Sequence, residues 1–112
     1  MASVDELWLV DFGDPHPGEP AHHRPAVILG PPETFGPGFP FVLVCPLTTA
    51  RHELSIHVEV EPVPHTGLDQ TSYVQCEALR SVNRHRLVRP LGTIDVDTSH
   101  RVDTVVRTLL GH

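Results

Sequence analysis

Apolar positions along the chain arrive in short runs that are cut by proline and glycine, and the period changes only at the end. "ELWLVDFGD" (6–14) is an apolar run stopped by Gly13, Asp14 and Pro15. "PAVILG" (25–30) lies between Pro25 and the "GPP" that follows. "FPFVLVCPLTT" (39–49) is long, rich in β-formers and broken by Pro46. In "LSIHVEVEP" (54–62), Ile56, Val58 and Val60 alternate with polar residues, as in a strand with one buried face. "TSYVQCEAL" (71–79) and "GTIDV" (92–96) complete five or six expected strands. The last segment is different. Val102, Val105, Val106, Leu109 and Leu110 fall on one face of an α-helix, with Asp95 or Asp97 to cap its start and Gly111 to end it. A lone amphipathic helix must lay that face on the strands. The expected fold class is therefore mainly β (α+β): a small, strongly bent antiparallel sheet or open barrel closed by a C-terminal α-helix.

Length and composition narrow the setting. A chain of 112 residues, with no repeat, reads as one domain spanning 1–112 that folds without a metal or disulfide staple. The start, "MASVDELWLV", carries two acids and no basic leader, and no run approaches the roughly 20 apolar residues of a membrane helix. The expected compartment is the cytoplasm, where Cys45 and Cys76 would be reduced core thiols. The loop "GPPETFGPGFP" (30–40) is expected at the edge of any site.

Charge changes the picture in one place. The net charge is -6, which excludes a protein that coats nucleic acid through bulk positive charge. All eight basic residues other than histidine are arginines, and four of them lie in "RSVNRHRLVR" (80–89). Nucleic acid is thus admissible only through a local patch. Arginine's planar fork suits such a patch, because it grips phosphate oxygens in pairs.

Candidate chemistry is scarce. His16, His22 and His23 share a proline-rich loop without metal-site spacing, and no CxxC, HExxH, Gly-rich phosphate loop or nucleophile elbow occurs. No cofactor or metal is expected. What remains is Arg24, at the mouth of one strand, and "CPLTT", which delivers Thr48 and Thr49 at the exit of another. A guanidinium and a hydroxyl at strand ends suit a phosphodiester, and in RNA the 2′-hydroxyl is already the nucleophile.

Taken in order, "LWLVDFGDP", the "GE…RPAVIL" block, "VLVCPLTT", "HVEV", "TGLDQTSYVQCEALRSVNRHRL" and "RVDTVVRTLLG" resemble the MazF/PemK family of bacterial toxins over nearly the whole chain. The resemblance implies an SH3-like barrel, a homodimer, a cognate antitoxin, and metal-independent endoribonuclease action on single-stranded RNA. Cleavage in that family leaves a 2′,3′-cyclic phosphate and a 5′-hydroxyl. Position by position it implies Arg24 and Thr48 as catalytic residues, with Glu19 as the acid of the first loop. His22, His23, Thr49, Arg80, Arg84 and Arg86 are the expected RNA contacts. Two departures stand out. The first loop reads "PGEPAHHRP" in place of the usual family pattern, and Gln75 and Glu77 stand where some members hold an arginine and an aspartate. The alternatives are a non-catalytic toxin of the same fold that binds DNA gyrase, like CcdB, and an inactive interaction module.

Overall fold

The computed structural model describes residues 2–13, 22–32 and 38–112. Within them lie seven strands: β1 (Glu6–Asp11), β2 (His23–Gly30), β3 (Phe41–Thr48), β4 (His57–Val60), β5 (Ser72–Gln75), β6 (Arg80–Asn83) and β7 (Leu87–Thr93). One helix follows, α1 (Val96–Leu109). All pairings are antiparallel. The order is β4-β5-β3-β2-β1-β7, with β6 also on β3. β4 and β7 stand at the two edges and do not pair with each other, so the expected barrel is an open one.

β3 organises the sheet. One edge pairs with β2, while the other takes β6 along Phe41–Val44 and β5 at Leu47 and Thr48. Two partners on one edge force the sheet to bend between them, near Cys45 and Pro46. Pro46 is fully buried, and its missing N–H removes a ladder bond at the bend. Bending gives the sheet a core on each face. Leu7, Val27, Cys45, Leu47, Val58, Val74 and Cys76 pack on one side with Ile94, just before the helix, and Val102 of α1. Val10, Phe12, Ala26, Ile28, Val42, Val44 and Val82 form the other.

The helix ends are set locally. Asp95 accepts a hydrogen bond from the Thr98 N–H at 2.7 Å and caps the start. At the far end Gly111 takes a φ of +81°. Its N–H reaches the Thr108 carbonyl at 3.1 Å, and the His112 N–H reaches Arg107 at 2.8 Å. That pair of bonds is a Schellman stop.

The strand at 80–83 was not among the expected ones. Its sole buried side chain is Val82, set among Arg80, Ser81 and Asn83, so a stretch expected to be a charged cluster is in part a strand. β7 likewise begins at Leu87, earlier than the run at 92–96 suggested. As an edge strand it is mostly exposed and carries no apolar alternation.

Candidate active site

Arg24 pairs with Val10 across β1, on the side where β2 begins. The β2–β3 register matches Ala26 with Pro46 and Val27 with Cys45; continued outward by two residues, it sets Arg24 opposite Thr48. The guanidinium closes the arrangement. Its Nη2 donates to the Leu47 carbonyl at 2.8 Å and to Gln75 Oε1 at 3.2 Å. Both acceptors are neutral, and Arg24 makes no ion pair among the described residues. Burial without a counter-charge pulls its pKa below the ordinary arginine value. A half-buried cation held by neutral dipoles keeps its charge available to an anion.

Thr48 stands at the end of β3, half-buried, paired with Tyr73 of β5. Its Oγ1 accepts the Ala50 N–H at 3.1 Å. That bond uses the hydroxyl as an acceptor and leaves its own proton to be donated. Thr49, the next residue, is exposed.

Beside this pair lies an arrangement that the sequence did not reveal. His57, the β-bridge partner of Gln75, has a side chain only 4% exposed, and its Nε2 lies 2.8 Å from Glu77 Oε2. The other ring nitrogen, Nδ1, is buried with no hydrogen-bond partner among the described residues. The Nε2–H of His57 donates to the Glu77 carboxylate. His52 meets the same ring edge-on, with centroids 5.6 Å apart. Gln75 and Glu77 had been noted only as departures from a family pattern. Their roles depend on strand pairing across 51 and 20 residues of sequence, and no local motif could signal that.

The other expected contacts are distributed. Arg80 lies over the Phe12 ring at 5.5 Å, and Arg86 Nη1 donates to the Asp11 carbonyl at 3.4 Å. Both gather at the end of β1, beside the stem of the first loop. His22 closes that stem: its N–H reaches Gly13 and its carbonyl accepts from Phe12. His23 lies 3.8 Å from the Asp11 carboxylate and, one residue from Arg24 on a strand, faces the opposite side of the sheet. Arg84 does not join Arg80 and Arg86. Its Nε donates to the Phe39 carbonyl and its N–H to Pro40, tying it to the segment that enters β3. Glu19 lies outside the described residues.

The two cysteines are free and buried. Burial, with Cys76 and Glu77 nearby, pushes the Cys45 thiol far above its ordinary pKa. Burial and Glu77 raise Cys76 to about 11. Both stay protonated near neutrality and are inert as nucleophiles.

Comparison with known proteins agrees with this fold. MazF from Deinococcus radiodurans superposes with a TM-score of 0.85 at 22% identity, covering 99% of this chain and 97% of that one. The Mycobacterium tuberculosis toxin MazF-mt6 gives 0.78 at 23% identity over 95% and 96%. A mycobacterial endoribonuclease in complex with its cognate antitoxin gives 0.79 at 20% over 99% and 96%. At these identities the likeness speaks for the fold. The sequence profile of the PemK-like, MazF-like toxins of type II toxin–antitoxin systems matches residues 4–110, and the chain belongs to that family.

Proposed function

We propose that the chain is a toxin endoribonuclease that cuts single-stranded RNA without a metal and is held in check by a cognate antitoxin. One observation carries the reading: a half-buried Arg24 guanidinium, bonded only to neutral oxygens among the described residues, set by strand register opposite Thr48, whose hydroxyl oxygen accepts the Ala50 N–H. In this mechanism the ribose 2′-hydroxyl attacks the adjacent phosphorus, so no protein nucleophile is needed. Arg24 grips the non-bridging oxygens and offsets the charge that builds on them, and Thr48 donates a further hydrogen bond. Glu19 or a histidine of the first loop is proposed as the base that takes the 2′-proton. The 5′-oxygen leaves and is protonated, giving a 2′,3′-cyclic phosphate and a 5′-hydroxyl. Arg80 and Arg86, at the first-loop stem, would guide the flanking phosphates.

Incubation of the purified protein with a long single-stranded RNA in chelator is expected to give discrete fragments with 5′-hydroxyl ends. RNA left intact across many sequences would overturn the reading.

The same reading includes two protein partners. An antitoxin with an extended acidic segment fits an arginine-lined groove made for phosphates. A second copy of the chain fits an apolar patch where Phe41 (46% exposed), Leu43 (42%) and Leu110 (59%) protrude. Leu43 and Leu110 line a hollow of about 250 Å³ with Val4, Leu29, Leu79 and Val106. The cytoplasm is the compartment in which such an enzyme meets its RNA. Among the described residues, no helix is long and apolar enough to cross a membrane.

A further inference from the structure

The two acceptors that hold Arg24 are not equally fixed. Leu47 belongs to β3, which is paired along both edges. Gln75 is the last residue of β5 and lies past the registered β3–β5 pairs, Leu47–Val74 and Thr48–Tyr73. Its registered cross-strand partner is His57, the first residue of β4. β4 is an edge strand joined to the sheet by four pairs with β5, and His57–Gln75 is the terminal one. Terminal pairs of an edge ladder open most readily. The chain also leaves the ladder at this point, because a 3₁₀ turn, Cys76–Ala78, follows Gln75 with no side-chain cap.

One contact closes this end. Glu77, inside that turn, reaches back to β4, and its Oε2 takes the His57 Nε2–H at 2.8 Å. The bond joins the residue that starts β4 to the turn that follows β5, so Gln75 is enclosed between them. A hydrogen bond to a carboxylate is among the stronger kinds, and this one is made by a nearly buried ring. His52 packs edge-on against the same ring. Nδ1 has no hydrogen-bond partner among the described residues, so the bond to Glu77 is the polar contact that orients the imidazole.

We infer that His57 and Glu77 form a latch that positions Gln75 and, through it, the Arg24 guanidinium. The inference rests on the ribonuclease reading above and adds two positioning residues to it, both acting through Gln75 rather than on the RNA. Both bonds to Arg24 leave from Nη2. Two acceptors on one nitrogen fix the plane of the fork, whereas the Leu47 carbonyl alone lets the fork swing about a single bond. A misplacement of about 1 Å in a group that grips the reacting phosphate can lower the rate by about 10²-fold.

The test uses the whole protein with two variants. His57→Leu keeps the buried bulk and removes the donor, and Glu77→Ala removes the acceptor at an exposed position. Single-turnover cleavage at saturating RNA is expected to fall about tenfold or more in each. His57→Gln, whose amide nitrogen can stand where Nε2 does, should recover most of it. In a Gln75→Ala background His57→Leu should lose little more, because the residue it acts through is gone. A second readout needs no cleavage. The Arg24 Nε–H resonance in proton–nitrogen NMR spectra, identified by its absence in Arg24→Lys, should move in His57→Leu and in Gln75→Ala and stay near its wild-type position in His57→Gln. Melting curves check folding, and Glu77→Ala carries the comparison if His57→Leu does not fold. Wild-type cleavage by the folded variants, full additivity with Gln75→Ala, or an unmoved Arg24 resonance would overturn the latch and leave the ribonuclease reading intact. If the wild-type protein cuts no RNA, that reading falls and the resonance decides the latch.

Discussion

Arg24 is informative because of what it lacks. An ordinary surface arginine finds a carboxylate or water, whereas this one is half-buried against the Leu47 carbonyl and Gln75. Arg24→Lys keeps one charge and loses the fork, so single-turnover RNA cleavage is expected to fall by on the order of 10²-fold or more. Losing those neutral hydrogen bonds should cost only about 1 kcal/mol of stability in urea unfolding. Wild-type cleavage by this variant would end the assignment. Thr48→Val keeps the β-branched shape and removes the donor; it should lose a similar factor while melting near the wild-type temperature. If both groups act on one transition state, as proposed, the double variant should lose much less than the sum of the separate free-energy costs. At this scale Arg24 and Thr48 stood out in the sequence as candidates, by side-chain chemistry at strand ends. Gln75, His57 and Glu77 were not, since each acquires its neighbour only through strand pairing.

Two contacts are decisive for the scaffold, one between elements and one at a helix end. Gly92 of β7 faces the 63–67 loop so closely that an added Cβ would sit 2.3 Å from the His65 carbonyl oxygen. The Thr93 N–H bonds the same oxygen at 2.8 Å. Gly92→Ala must push that loop off the strand, and a loss of about 1–3 kcal/mol is expected in thermal unfolding. A loss of less than a few tenths would mean that the loop moves freely. The other contact is the Asp95 cap. Its hydrogen bonds with Thr98 hold the carboxyl below its ordinary pKa. A lowered acid stabilises the fold above its unfolded pKa of about 4 and loses that contribution as pH falls through the folded value. Asp95→Ala should therefore lower the melting temperature at pH 7, with the gap to wild type closing as the pH falls through the lowered carboxyl pKa. A gap that stays constant with pH would remove the cap from this account. The helix and its ends were readable because periodicity and capping are local. β6 and β7 were not, because edge and mixed-charge strands are defined by partners distant in sequence.

The whole molecule carries a net charge of -6 yet places Arg24, Arg80 and Arg86 around one end of β1. RNA should therefore bind only through this local patch, and weakly at high salt. Each phosphate neutralised contributes about 0.7 to the negative slope of log affinity against log salt for a single strand. Arg86→Ala should reduce that slope by about this amount with little change in base preference, as measured by anisotropy titrations at several salt concentrations. An unchanged slope would place the RNA elsewhere. Light scattering is expected to give twice the 12.4 kDa chain mass, and Leu43→Asp should return it to the monomer value by charging the apolar patch.

By itself the sequence determined the strand-rich class and the closing helix with its caps, and it marked out Arg24 and Thr48 as candidates for a phosphodiester. Those features depend on alternation, on proline and glycine stops, and on side-chain chemistry, all of which act within a few residues. Only the tertiary structure decided that β3 would serve two partners on one edge and bend the sheet between them. That bend, together with antiparallel register, brought Gln75 to Arg24, Tyr73 to Thr48 and Glu77 to His57, and separated Arg84 from Arg80 and Arg86. Register depends on how distant strands bury their apolar faces against each other, and no single stretch of the chain encodes it.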